Sequence, residues 1–242
     1  MDCCFGGDGG KLVGITIAID GPSGSGKSTV SRETARRNGL AYLDTGAMYR
    51  AATWWVMHEG VDLNDEEAVI ESVKKLPVTV PVDPDDQTQI CAGEDITEII
   101  RTAELSAVVS TISSYYPVRD ILISLQRDII DAELEADSYS GGKGIVVEGR
   151  DITTVVKPDA DVRILLIASE EARLARRAKE ISGKVDEETI EKTRDIVSRR
   201  DRVDSAVTKF MTASDGVHTI DSSSMSIDEV VEAVEDLMRR AT

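Results

Sequence analysis

The chain has 242 residues, with 28 Lys and Arg against 45 Asp and Glu, a net charge of −17 at pH 7. At about 150 residues per domain, that length allows one domain with a small insertion, and such a chain hides roughly 70% of its unfolded surface without disulfide or metal staples. The acid excess argues against broad nucleic-acid binding, which needs a basic field to displace counterions, so any anion must be caught locally. Cys3, Cys4 and Cys91 cannot close a pairing scheme, and none stands at metal-ligand spacing from His58 or His218. Reduced thiols, no apolar stretch of about 20 residues and no basic-then-apolar leader predict a cytoplasmic protein without a membrane partner.

Residues 1–14, containing Gly6-Gly7-Asp8-Gly9-Gly10, read as a disordered tail. The apolar run Ile15 to Asp20 predicts a strand buried on both faces. A glycine-rich turn follows, then a helix from Lys27 to about Asn38, a short strand ending at Tyr42-Leu43, and a helix opened by Asp44-Thr45-Gly46 and stopped at Gly60. Between about Glu71 and Thr111, Val78-Thr79-Val80 and Thr88-Gln89-Ile90 are β-like and flank the turn-rich Asp83-Pro84-Asp85-Asp86, predicting a hairpin-bearing insertion. Helical spacing covers Arg101 to Ser114 and Val118 to about Leu134. Buried strands follow at Ile145 to Val147 and Val162 to Ile167, then helices at Glu170 to about Ile181 and Glu187 to Arg202 and a strand near Val217 to Ile220. In the last helix Ser226 and Glu229 form a capping-box pattern ahead of an apolar face. Strands alternating with helices predict an α/β fold with a mainly parallel sheet.

Gly21-Pro22-Ser23-Gly24-Ser25-Gly26-Lys27-Ser28-Thr29 fits G-x-x-x-x-G-K-[ST] between a predicted strand and a predicted helix, the context a phosphate-binding loop requires. Glycines let backbone N–H groups turn inward, the helix N-terminus adds positive potential, Lys27 reaches the outer phosphates and the Ser28 hydroxyl is placed for Mg²⁺. A dinucleotide-binding reading lacks its third glycine and its ribose-binding acid, and a GTP switch lacks its guanine-reading element. Arginines recur at predicted loop edges, among them Arg50, Arg101, Arg119, Arg150, Arg173, Arg176, Arg177 and Arg200. Singly each reads as a solvated charge, whereas several converging on one cleft make a phosphoryl clamp.

With Ile17 to Thr29, Leu43-Asp44-Thr45-Gly46-Ala47-Met48-Tyr49-Arg50, Ile100-Arg101-Thr102, Val118-Arg119, Glu148 to Val156 and Arg200 to Ser205 in this order, the chain resembles bacterial cytidylate kinases, of the nucleoside monophosphate kinase superfamily, from about Ile15 to Met238. The resemblance implies phosphoryl transfer from ATP to CMP or dCMP. It implies a P-loop kinase core with a parallel sheet flanked by helices (15–70, 112–169 and 206–242), a small β-containing monophosphate-binding insertion (71–111) and a short helical lid (170–205). It also implies that Thr45, Ser110, Arg119 and Asp151 line the cytosine pocket, with Tyr49 among the substrate-binding residues. Arg50 and Arg150 would hold the acceptor phosphate, Arg200 a phosphate and Asp204 the pentose hydroxyls. Arg173 and Arg177 would close over ATP, and Lys27, Arg150 and Arg200 would carry the transfer. As helix hydroxyls without a ligand, Thr45 and Ser110 have a second, less favoured reading.

The sequence departs from the family at Val207, where a second arginine is expected, and Lys209 is the candidate replacement, as a point charge instead of a fork. ATP and Mg²⁺ are the implied cofactors and CMP or dCMP the partner. Nothing marks an obligate interface, so a monomer without nucleic acid is expected. Another small P-loop kinase, acting on shikimate, AMP or dephospho-coenzyme A, and a nucleotide binder without catalysis are the alternatives. The hairpin insertion and Glu148-Gly149-Arg150-Asp151 argue against the former, and Val207 alone invites the latter.

Overall fold

The computed structural model describes residues 14–182, 194 and 212–241, without the side chains of residues 177 and 180–182. The tail up to residue 13, the helix predicted at Glu187 to Arg202, and Arg200, Asp204, Val207 and Lys209 lie outside the described residues. The main sheet has five strands, β1 (Ile15–Asp20), β2 (Ala41–Asp44), β6 (Gly144–Gly149), β7 (Val162–Ile167) and β8 (His218–Asp221), in the order β2-β6-β1-β7-β8. All its pairings are parallel. Every residue of β1 is buried, as its unbroken apolar run predicts for a central strand covered on both faces.

Alternation along the strands separates two cores. Ile17, Ile19, Val146, Ile164 and Leu166 pack with Val30 and Ala35 of α1 (Lys27–Asn38) and with Val230, Val231 and Val234 of the C-terminal helix, here α7 (Ile227–Ala241). Ala18, Leu43, Ile145 and Val147 face the other way, toward Met48 of α2 (Thr45–His58) and Ile123 and Ile130 of α5 (Tyr116–Ala132). Truncating a fully buried isoleucine such as Ile17 to alanine would cost about 2–5 kcal/mol.

Helix ends follow local chemistry. Asp44 caps α2 by accepting the Ala47 N–H at 2.9 Å. The predicted capping box opens α7: the Ser226 N–H donates to Glu229 Oε2 at 2.8 Å and the Glu229 N–H to Ser226 Oγ at 3.2 Å. Gly39 closes α1 in the left-handed conformation. The first helix of the predicted lid, α6 (Glu170–Ser182), follows β7.

Between α2 and α5 the structure adds to what the sequence predicts. An eight-residue helix, α3 (Glu66–Val73), is capped by Asp65, whose carboxylate accepts the Ala68 N–H. A second sheet, β3 (Val78–Thr79), β4 (Ile90–Cys91) and β5 (Glu94–Asp95), is antiparallel. The predicted pairing of the segment at Val78 with that at Ile90 is present, but the tight hairpin lies further on, between β4 and β5. There Ala92 (φ 52°) and Gly93 (φ 81°) both take positive φ, as a type I′ turn requires. A short 3₁₀ turn at Ile99–Arg101 leads into α4 (Ala103–Ser113). The loop at Asp83 to Asp85 returns to the core, where Arg32 of α1 donates to the Pro84 carbonyl and the Tyr42 N–H on the sheet edge donates to Val82.

β1 stands between β6 and β7, so its chain connection leaves on one side of the sheet and that of β6 on the other. The carboxyl ends of β1 and β6 are thus a topological switch point, where open α/β sheets open a crevice.

Candidate active site

The loop after β1 is shaped by close approaches that only glycine permits. A Cβ on Gly21 would stand 2.1 Å from the Leu166 carbonyl oxygen, and one on Gly24 (φ 78°) 2.7 Å from that of Arg173. Two of the loop's carbonyls are held by side chains of α6 and of the segment after β8. Arg173 of α6 donates to Ser23 O at 3.1 Å, Arg176 of the same helix to Ser25 O at 3.1 Å, and Ser222 Oγ, just past β8, to Ser25 O at 2.9 Å. Arg176 also holds the Ser222 carbonyl at 2.6 Å. The loop runs into the N-terminus of α1, where the helix field favours anions. Lys27, first in α1, rests its Nζ 3.0 Å from the Pro22 carbonyl.

The cleft has a volume of about 560 Å³ and is lined by Ser23 to Val30, by Arg50, Arg101, Arg150 and Arg176, by Asp44 and Glu148, and by Ser222. Beyond the loop it continues along Met225, Ser226, Ile227 and Val230. Glu148 is 4% exposed and receives a 2.8 Å hydrogen bond from the buried Tyr42 hydroxyl. Burial holds its carboxyl above the usual range and the nearby Asp44 adds to this, while Lys27 and a hydrogen bond from Ser28 act the other way. Two carboxylates and the Ser28 hydroxyl beside a phosphate loop form a hard, all-oxygen donor set that suits Mg²⁺ sharing its shell with substrate phosphates.

Across the cleft, Arg50 of α2 donates to the Ile100 carbonyl at 2.8 Å and to Ser106 Oγ at 2.7 Å, which ties it to the start of α4. Arg150 and Asp151 leave the end of β6 on a turn that runs into a single π-type turn, Ile152–Val156. That turn is held by Asp20, the last residue of β1. Its carboxylate accepts the Ile152 N–H at 2.9 Å, the Thr153 N–H at 2.8 Å and the Thr153 hydroxyl at 2.7 Å. Asp151 is ion-paired with Arg119 of α5, at side-chain exposures of 9% and 12%. Beside this pair lie the Tyr49 hydroxyl, whose ionisation burial pushes up, and the carboxamide of Gln126, 1% exposed. The polar atoms of both are buried without a hydrogen bond of good geometry.

A family model for cytidylate kinase matches residues 17–240. The chain belongs to the cytidylate kinase family. It is 43% identical over 226 residues to the cytidylate kinase of Cutibacterium acnes, covering 93% of this chain and 96% of that one. It is 44% identical to the Nocardia farcinica enzyme over 90% of each, and 39% identical to that of Caldanaerobacter subterraneus over 94% of this chain and 96% of the other. As a cytidylate kinase it is an ATP-dependent nucleoside monophosphate kinase, phosphorylating CMP or dCMP to the diphosphate.

Of the residues singled out from sequence, Ser23, Gly24, Ser25, Gly26, Lys27, Ser28, Thr29, Arg50, Arg101, Arg150 and Arg176 share the cleft. Gly21 and Pro22 form the back of the loop. Arg119 and Asp151 meet each other as an ion pair, and neither is among the residues that line the cleft. Thr45 is 3% exposed and donates its hydroxyl to the Glu148 carbonyl at 2.7 Å. Ser110 lies half-buried on α4, where its carbonyl accepts the Ser113 hydroxyl. Arg173 grips the loop from behind. The side chain of Arg177, with Arg200 and Asp204, lies outside the described residues. Asp20, Asp44, Glu148 and Ser222 carry no assigned role in the sequence. Asp44 and Glu148 could have been found as the acidic members of the motifs that supply Thr45 and Arg150.

Proposed function

We propose that the cleft performs the family reaction with its donor and acceptor halves on opposite walls. The observation that carries this reading is that the phosphate loop shares one cleft of about 560 Å³, within the usual size of ligand sites, with Arg50 and Arg150. Residues Gly21 to Thr29 cradle the ATP phosphates through backbone N–H groups, with Lys27 on the outer ones. Ser28, Asp44 and Glu148 would hold Mg²⁺, which supplies neutralisation of phosphate charge when bound. Arg50 and Arg150 orient the phosphate of CMP so that one of its oxygens lies in line with the terminal phosphorus of ATP. The forming bond is between that oxygen and phosphorus, and the breaking bond releases ADP. The acceptor is already an oxyanion, so no strong base is needed. The chain's contribution is alignment and compensation of charge spreading over the transferred group.

Base selection falls to Arg119 and Asp151. A carboxylate accepts the exocyclic amine of cytosine, and a guanidinium donates to its ring nitrogen and carbonyl. Uracil would turn a carbonyl oxygen toward the carboxylate and leave it unpaired, at about 1–3 kcal/mol. Tyr49, Thr45 and Ser110 stand in this reading as neighbours of the base, and Arg173 and Arg177 as the lid's contribution to the donor side. We assign the protein to the cytoplasm, in keeping with three cysteines that cannot close a pairing scheme, and take it to act as a monomer. No helix among the described residues is long and apolar enough to cross a membrane.

A coupled assay with ATP and Mg²⁺ against CMP, dCMP, UMP and AMP tests the reading. CDP and dCDP should form with the highest kcat/KM. Preference for AMP, or nucleotide binding without diphosphate formation, would overturn it.

A further inference from the structure

Asp20 is 2% exposed, lies outside the cleft lining, and spans 132 and 133 residues of sequence to reach its partners. It is also the residue directly before Gly21. One carboxylate therefore joins the first residue of the donor loop to the turn that carries Arg150 and Asp151. The turn needs such an acceptor, because β6 ends at Gly149 and the π-type turn begins at Ile152, leaving the first N–H groups of that turn without backbone partners. The turn has no slack toward α2 either. A Cβ on Gly149 would stand 2.6 Å from both Thr45 Oγ1 and Ile152 Cδ1.

We propose that Asp20 is a positioning residue for phosphoryl transfer, fixing the distance and angle between the donor loop and the acceptor turn through its three hydrogen bonds to Ile152 and Thr153. A neutral side chain would fill the same space more cheaply. Burial pushes the Asp20 carboxyl up to about 6, and the charge of Asp151 adds to this, so the ionised acceptor is kept at a cost. What the ionised carboxylate provides, and an amide cannot, is acceptance from three donors at once. In-line transfer is sensitive to spacing, a misplacement of about 1 Å costing roughly 10²-fold in rate.

The inference rests on Arg150 holding the acceptor phosphate, and the test separates the two. In Asp20→Asn an NH₂ group confronts N–H donors while the shape is kept. The expected result is a kcat lower by about 10²-fold and a KM for CMP higher by about 10-fold, with the KM for ATP within about twofold and the urea midpoint at pH 7.5 no lower than in the parent. Thr153→Ala removes the side-chain bond alone and should raise the KM for CMP by about threefold, again without change for ATP. If Asp20→Asn does not fold, Thr153→Ala decides by the same split. Unchanged kinetics, or a loss shared equally by both substrates, overturns the inference. Arg150→Met is the control. If it leaves the KM for CMP unmoved, the acceptor assignment fails whatever Asp20 does. If it raises that KM and the Asp20 and Thr153 variants do not, only the positioning role fails.

Discussion

The two walls of the cleft are built by opposite means. The proposed donor wall is one continuous loop, Gly21 to Thr29, whose Ser23 and Ser25 carbonyls are gripped by Arg173, Arg176 and Ser222. The proposed acceptor wall is assembled from side chains, Arg50 of α2 tied to Ile100 and Ser106 and Arg150 on the turn after β6, with the Arg119–Asp151 pair outside the cleft lining. A site made of backbone tolerates many side-chain changes but depends on what braces it. One made of side chains fails locally, one substrate at a time.

That contrast can be broken by experiment. Lys27→Ala should have the largest effect, a loss in kcat of about 10³-fold or more with an unchanged circular dichroism spectrum. A loss within tenfold would mean that the backbone alone holds the donor.

Asp20, which ties the two walls together, gives the next effect, on stability. A carboxyl whose pKa is about 6 when folded, against 3.8 for the free group, binds its proton more tightly in the folded state, so it leaves stability untouched below the lower value and costs it as pH rises to the upper. Once ionised, that cost is about 3 kcal/mol. Relative to the parent, Asp20→Asn should therefore gain up to about 3 kcal/mol between pH 3.5 and pH 7.5 in urea unfolding. A pH-independent difference would show that Asp20 is not buried as described.

Asp151→Ala leaves the Arg119 guanidinium buried without its partner. It should lower kcat/KM for CMP by about 10²-fold while sparing the KM for ATP. Arg176→Met, at the back of the loop, should do the converse on a smaller scale, raising the KM for ATP by about tenfold and leaving that for CMP unchanged. Should either variant affect both substrates alike, the walls are not independent.

The same contrast explains how much the sequence discloses. The donor loop, the five parallel strands and the capping box of α7 are legible because their chemistry is local: a glycine pattern, apolar runs, a Ser and a Glu three residues apart. α3 is hard to read in the sequence because it is only eight residues long, despite the start signal of Asp65, Glu66 and Glu67. β5 escaped because Glu94 and Asp95 are both exposed and carry no apolar period. The turn between β4 and β5 is masked by Ala92, a residue seldom found at positive φ. Asp20 reads as the polar end of an apolar strand, since nothing local reveals partners more than 130 residues away. Arg173, Arg176 and Arg177 are spaced within one helical turn, and only the packing of α6 shows which of them meet the loop. Family resemblance supplied Arg119 and Asp151 as base-pocket residues; the structure adds that they face each other as an ion pair.

The hydroxyl of Ser222 touches more of the chain's history than its size suggests. It lies 2.9 Å from the Ser25 carbonyl, 3.1 Å from that of Ile167 and 2.9 Å from Arg176, joining segments that are synthesised far apart. The loop formed by residues 21–29 is therefore not complete when it leaves the ribosome, nor when α1 forms behind it, but only once β8 has docked nearly 200 residues later. ATP then reports on the finished chain: nucleotide at 100 times its Kd should add about 2.7 kcal/mol to global unfolding, felt as much in α7 as in the loop itself.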